Sequence, residues 1–359
     1  MFHLFLVIGL IFLTGCPSPP KQQPKVTPLL VIPAEPLNTP SPVITEATPP
    51  PPQPPVQPSF KPPGPPRTNW INFSVWAATN GWKPLLPQSI GTISNSYLFS
   101  SPNGSFELRP GQPFGRWNGT AFAWGFPPQL TNSALWINQL DLEKNLIPLQ
   151  YSPSLGKGGT IVLDPGHGGE NSGARSRDGA VLEKFAVMDW ARRIQKLLEK
   201  EGFRVVLTRT NDLDIPLTNR VAVAEQAKGD LFISLHFNSV DSPNDEAGIE
   251  TFCLTPTGMP STLTRGYDDD PGRRFQNNDH DIANFQFAIR IHQKMIQQTG
   301  RKDRGVRRAR FMGVLREQNR PAVLLEGGFL SSPGEAALIG SADYREKLAE
   351  AVAEAIKSL

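Results

Sequence analysis

The sequence predicts an α/β fold: a mixed, largely parallel twisted sheet flanked by helices on both faces, preceded by a small mostly-β domain. Three stretches carry the prediction. Thr160–Gly169 (TIVLDPGHGG), Ser234–Asn238 (SLHFN) and Leu324–Phe329 (LLEGGF) are each a short apolar run ending abruptly in a residue able to bind metal or move protons. Buried parallel strands deliver polar residues at their carboxyl ends, where ligands collect. His167, His236 and Glu326 therefore fall along one sheet edge, and Glu183, at the head of the helix after the first loop, joins them. Two imidazoles with two carboxylates nearby are the inventory of a catalytic zinc hydrolase.

The amino-terminal part reads as an export and tethering segment. Residues 1–15 form a short apolar run ending in Leu13-Thr14-Gly15 before Cys16, the pattern of a lipoprotein-type signal with a lipidated Cys16. Residues 16–67 form a proline-rich linker; 20 of the 37 prolines lie between Pro17 and Pro66. Such a chain cannot build ladder hydrogen bonds and samples extended polyproline II, reaching on the order of 150 Å. The expectation is an exported, membrane-anchored lipoprotein facing the periplasm or cell wall. Once Cys16 is acylated only Cys253 is left, so no intramolecular disulfide is expected. A net charge of +3 over 359 residues gives no nucleic-acid signal.

Residues 68–152 read as the small mostly-β domain. Six of the seven tryptophans fall here, among short runs punctuated by Gly, Pro and Asn, after a helix at Ile71–Thr79. Most of these aromatics are expected in a core, and glycan contact would make the domain wall-targeting. From 158 to 359 strands alternate with helices. Strands are expected at Thr160–Leu163, Arg204–Leu207, Leu231–Leu235, Ile249–Leu254, Met312–Leu315 and Ala322–Leu325. Helices are expected at Glu183–Glu201, Leu217–Ala227, Ile282–Gln298 and Tyr344–Lys357. Asp241–Asp281, rich in Pro, Gly and Asp, is expected as a mobile loop on the substrate side.

Within this frame His167 sits in a Pro/Gly turn that leaves space beside the ring, with Asp164 expected as its supporting partner. Spacing alone does not choose Glu183 over Glu170 or Asp178 as a ligand. Glu326 ends the run AVLLE, and a buried, unpaired carboxylate is costly, so its position implies a cation or a catalytic role. Asn238 is placed to bind a ligand or the loop, and Arg304, Arg307 and Arg316 are candidates for substrate carboxylates. His280 and the run Asp268–Asp270 read as solvated loop residues.

DPGHGG, Gly173-Ala174 with Glu183-Lys184, Arg220 with GDLFISLHFN, and RGVRRARFMGVLREQNRPAVLLEGGFLSSPGE together resemble the zinc-dependent N-acetylmuramoyl-L-alanine amidases of amidase family 3. The resemblance covers roughly Gly159–Leu359. It implies a mixed six-stranded sheet, one zinc ion held by His167, Glu183 and His236, and Glu326 as the catalytic residue, which settles the choice of Glu183. It further implies peptidoglycan as the partner and cleavage between N-acetylmuramic acid and L-Ala. Some family members carry an inserted helix that an activator displaces; Asp241–Asp281 shows no helical period, so no activator is expected to be required. A different zinc peptidase, such as a carboxypeptidase on the same polymer, and a catalytically silent wall-binding lipoprotein are the alternatives. The segment RPGQPFGRWNGTAFAWGFPP…LWINQLDLEKNLIPL resembles the amino-terminal domain of copper amine oxidases.

Overall fold

The computed structural model describes residues 70–85, 96–156, 158–241 and 246–359. The expectations for residues 1–15, for Cys16 and for the linker up to residue 67 lie outside the described residues. No helix among the described residues is long and apolar enough to cross a membrane.

The first described part contains β1 (Trp70–Asn72), α1 (Phe73–Thr79), β2 (Lys83–Leu85), β3 (Tyr97–Ser101), β4 (Gly104–Leu108), β5 (Phe114–Trp117), β6 (Thr120–Ala123), β7 (Gln129–Thr131), β8 (Ala134–Asn138) and a helical segment α2 (Gln139–Asp141). Asn72 starts α1 by accepting a hydrogen bond from the Val75 amide at 3.2 Å. Phe73, Trp82, Phe99, Phe106, Trp117 and Phe122 are buried together. Three of the six tryptophans of this part, Trp82, Trp117 and Trp124, are core, and Trp76 packs against it.

The second part contains β9 (Thr160–Pro165), α3 (Glu183–Lys200), β10 (Arg204–Leu207), α4 (Leu217–Ala227), β11 (Leu231–Asn238), β12 (Ile249–Cys253), α5 (Asp281–Thr299), β13 (Asp303–Arg308), α6 (Gly313–Arg316), β14 (Ala322–Phe329), α7 (Pro333–Gly340) and α8 (Ala342–Lys357). The strand order β10-β9-β11-β14-β12-β13 forms a six-stranded sheet in which only β12 against β14 is antiparallel. Side chains alternate across it. Ile161, Leu163, Ile233, Leu235, Val323 and Leu325 pack with α3, α5 and α8, whereas Val162, Phe232, Ala322 and Leu324 pack with residues of α4 and α6 on the other face.

β6 pairs parallel with β13 through Phe122 and Val306, so the meander β2–β6 continues the sheet to 11 strands. Phe122 meets Phe285 of α5 edge-on at 5.7 Å, and the Ala121 amide donates to Asp303 at 2.8 Å. The aromatic core of the first part and the α3/α5/α8 core form one continuous cluster within the compact unit 63–359. β13, which would otherwise be an open edge, is thereby covered.

Three local expectations differ from the structure. Met312–Leu315 is not a strand: α6 turns Val314 and Leu315 into the core beside α4, and so short an apolar run satisfies either period. β13 was hidden because DRGVRR is too charged to read as a strand. Asp241–Asp281, expected as a mobile loop, carries an internal tether, in which Asp269 accepts bonds from Arg310 at 2.6 Å and from the Ser261 hydroxyl at 2.6 Å and amide at 2.8 Å.

The shared core predicts one cooperative unit. Phe122→Ala is expected to cost about 3–5 kcal/mol and to shift a single urea transition of residues 63–359. Two separate transitions, with only one moved, would show that the two parts fold independently.

Candidate metal centre

The side chains of the site come from the loop after β9, the first residue of α3, and the carboxyl-terminal halves of β11 and β14. β9 ends at Asp164-Pro165, and the chain turns so that His167 adopts φ +59°, a left-handed conformation costly for a residue with a Cβ. A buried network holds this turn. Asp164 accepts bonds from Arg220 at 2.7 Å, Thr208 at 2.6 Å and Ser234 at 2.8 Å. Arg220 in turn donates to the carbonyl of His167 at 2.9 Å. Asp164 was expected to support the imidazole directly; it supports the backbone instead, and the ring nitrogen Nδ1 faces Asn171 Oδ1 at 3.0 Å.

Glu183 opens α3 and is buried. Its Oε1 accepts the Phe237 amide at 3.0 Å and lies 2.8 Å from His236 Nδ1. Its Oε2 accepts the Ala174 amide at 2.7 Å and lies 3.1 Å from His167 Nε2. Burial alone would raise the Glu183 pKa, but the two imidazoles hold it well below the usual carboxylate range. Burial disfavours the charged His167 ring, yet its bond to Glu183 raises its pKa overall. Ligand atoms of His167, Glu183 and His236 all lie within 4.8 Å of one another, the one such metal-capable group among the described residues.

Two glycines give these rings room. A Cβ at position 166 would stand 2.3 Å from His236 Cε1, and one at position 173 would stand 2.4 Å from Glu183 Oε2. A donor set of two imidazoles and a carboxylate, packed against backbone that tolerates no side chain, fits a divalent zinc ion. A cleft of about 220 Å³ opens beside His167 and His236, with Asn171, Asp214, Leu217 and Val314 in its walls.

Glu326 is placed by register: it pairs with His236 across β11 and β14 and with Glu250 across β12. It is 6 % exposed, and its Oε2 has no hydrogen-bond partner among the described residues. Burial, then the neighbouring Glu183 and Glu250 carboxylates, push its pKa well above the ordinary value against the opposing charge of Arg265.

The residues expected to contact substrate are engaged within the protein. Asn238 Nδ2 donates to Glu250 at 3.0 Å, and its Oδ1 accepts from Arg265 at 2.9 Å. Arg304 binds Glu250 at 3.0 Å and Glu246 at 2.5 Å, while Arg307 lies 3.2 Å from Glu250. Arg316 is stacked over Phe275 instead. His280 ends a short 3-10 turn and is outside the His–Glu–His group; Asp269 is paired with Arg310, so the Asp268–Asp270 run is not a free acidic cluster. Asn171, Glu250 and Arg265 were not anticipated. Glu250 carried a signal, a carboxylate inside the apolar strand IETFC, the same signal that singled out Glu326.

An α/β sheet that brings two histidines near its strand ends, with a carboxylate at the head of α3 between them and a buried second carboxylate beside them, presents a group that could hold a metal ion. The profile of the N-acetylmuramoyl-L-alanine amidase family Amidase_3 matches residues 161–358, and the chain belongs to that family. It is 32% identical over 247 residues to N-acetylmuramoyl-L-alanine amidase AmiC of Escherichia coli, covering 62% of this chain and 58% of that protein. With AmiA of Escherichia coli it shares 32% identity over 219 residues, 55% of this chain and 75% of the relative. The chain thus spans under three fifths of the length of AmiC. The catalytic domain of the amidase CwlV from Bacillus (Paenibacillus) polymyxa aligns with 56% of this chain and 97% of its own, at 30% identity and a TM-score of 0.46.

The raised Glu326 pKa has a stability consequence in metal-free protein. The folded state holds this proton more tightly than the unfolded chain does. The resulting stability is full below the ordinary carboxyl range and is lost as pH rises toward the folded-state value. Glu326→Gln removes that loss: chelated variant and wild type should melt together near pH 4, with the variant ahead by about 1–3 kcal/mol at neutral pH. Calorimetric melts from pH 4 to 8 check this, and an offset independent of pH would contradict it.

Proposed function

We propose that this chain is a zinc-dependent N-acetylmuramoyl-L-alanine amidase that cleaves the amide between N-acetylmuramic acid and the L-Ala of the peptidoglycan stem peptide, in wall remodelling or cell separation. The observation that carries the reading is the unpartnered, buried Glu326 set in register with His236. Family membership and the amidase names of the relatives support the bond assignment.

His167, Glu183 and His236 would hold one zinc ion. When bound, the ion supplies Lewis-acid polarisation of the scissile carbonyl and makes water more acidic. Asn171 fixes the His167 ring so that Nε2 faces the centre, and the Phe237 and Ala174 amides orient the Glu183 carboxylate, which the two imidazoles keep ionised. Glu326, drier and surrounded by negative charge, binds protons more strongly than an ordinary carboxylate. That suits it to take the proton of the attacking water and deliver it to the leaving amine nitrogen.

Further parts of the reading concern setting. The apolar start of the sequence, Cys16 and the proline-rich segment support export and tethering to a membrane through an acylated cysteine, with the catalytic part reaching the periplasmic or wall-facing polymer. Residues 68–152 would add wall contact through their remaining exposed surface. The segment 254–275 contains no α-helix, which supports activity without an activator protein.

The test is mass spectrometry of peptidoglycan digested by residues 63–359, with and without chelator. Stem peptides beginning with L-Ala and intact glycan strands are expected, lost on chelation and reduced about 10²–10⁴-fold by Glu326→Ala. Release of terminal D-Ala alone would assign a carboxypeptidase instead. A zinc-loaded protein that is inert until a second protein is added would reject activator independence.

A further inference from the structure

Across the strand ends, side chains form a row of alternating character. His236 on β11, Glu326 on β14 and Glu250 on β12 are register partners, and Arg304 and Arg307 of β13 close the row on Glu250. Within this row Arg304 and Arg307 are neutralised by carboxylates. A further cation reaches the row from the segment 254–275. Arg265 donates Nη2 to the Asn238 amide oxygen at 2.9 Å, two residues beyond His236. Its charge acts on both Glu326 and Arg307.

Arg265 differs from the other arginines of the row in how it is held. No carboxylate lies within ion-pairing distance of it among the described residues, and its hydrogen-bond partner is a neutral amide. The residue is exposed and has φ +50°, a conformation unfavourable for a side chain of this kind. Its guanidinium carbon stands 5.8 Å from the centroid of Phe311, which also stacks on Tyr267 at 5.4 Å with a 12° interplanar angle and packs against the core on the α4/α6 face. Phe311 is continuous in sequence with Met312–Val314, and Val314 lines the cleft beside His167 and His236. Backbone strain, an aromatic seat and one amide bond thus hold a planar donor two residues along β11 from His236, with no second hydrogen-bond partner for it among the described residues. A guanidinium fork of this kind matches a carboxylate.

We infer that Arg265 is a specificity-determining residue that binds a carboxylate of the peptide portion of the substrate while the scissile amide lies at Glu326. The inference rests on the amidase reading. Charge-assisted bonding at this point would make the enzyme select stems with a free carboxylate over amidated ones. It would also explain why the row keeps a cation acting on Glu326 that no carboxylate among the described residues pairs with.

The experiment uses zinc-loaded protein and three soluble muramoyl peptides: one with all stem carboxyls free, one amidated at the second residue, and one amidated at the chain end. Wild type is expected to favour the free stem over one amidated form by about tenfold in kcat/KM, the affected form identifying which carboxylate is bound. Arg265→Gln should bring that ratio near one, Arg265→Lys should keep part of it, and Arg273→Gln, a cation of the same segment, should leave the ratio as in wild type. Calorimetric binding of the free and amidated product peptides to chelated protein should follow the same order. Equal use of all three stems by wild type, or an Arg265→Gln variant that keeps the full ratio, would overturn the assignment. Wild type inactive on every stem would instead overturn the amidase reading, and then equal binding of free and amidated peptides would remove the carboxylate site as well.

Discussion

The interaction on which the centre depends is the buried pair of Asp164 and Arg220. Neither group touches the metal-capable atoms. Asp164 ties the end of β9 to Thr208 beyond β10 and to Ser234 in β11, so three adjacent strand ends share one carboxylate. Arg220, on α4, spends its remaining donors on the carbonyls of Ile215, Pro165 and His167. A buried ion pair adds little net stability against an apolar replacement, whereas loss of one partner costs about 3–5 kcal/mol. Its value here is geometric: it holds His167 in a left-handed conformation that the backbone would otherwise leave. Because His236 follows Ser234 by two residues in the same strand, one network fixes both imidazoles.

Given that frame, the environments of two buried carboxylates separate their chemistry. Glu183 and Glu326 are 2 % and 6 % exposed, so burial alone would treat them alike. Glu183 receives two backbone amides and faces two imidazoles, and it stays ionised. Glu326 has an unpartnered oxygen and carboxylate neighbours, and its affinity for a proton is raised. Pairs of acids pushed apart in this way let a single site hold an ionised carboxylate beside a more basic one. The helix start matters as well: Glu183 at the first position of α3 lies where the helix dipole favours negative charge.

The parallel core, the strand-end histidines and Glu326 were legible in the sequence because buried strands leave apolar runs with abrupt polar ends. Glu183 was not separable from Glu170 or Asp178 by spacing, since its role is set by which turn folds back: the Arg175–Leu182 bridge returns the chain so that Ala174 can donate to it. β13 was illegible for a different reason. Its arginines satisfy carboxylates and carbonyls buried elsewhere in the chain, and local hydrophobicity carries no trace of those partners. Arg308 is the extreme case, fully buried over Phe285 and bonded to the Lys144 carbonyl and Asn145 of the first part. Asp164 was placed in the right neighbourhood with the wrong partner, because sequence adjacency suggests the ring while the turn presents the backbone.

The first part of the fold reaches the centre through these same charges. Three carboxylates, Glu183, Glu326 and Glu250, crowd one end of the sheet, and Coulomb repulsion among them grows as water is excluded. Arg304 and Arg307 relieve it from β13, so the position of that strand sets how much negative charge Glu326 feels. β13 begins at Asp303, whose carboxylate is shared by His292 of α5 at 3.0 Å and by the Ala121 amide of β6 at 2.8 Å. Burial would raise the Asp303 pKa, but these bonds keep it low, so the anchor stays charged. The meander β2–β6 therefore covers an edge and also fixes the register of the strand whose arginines balance the acids. A strand order in which the aromatic part sat elsewhere would leave β13 exposed and the Glu250 pairing loose, and Glu326 would then sit in a different field.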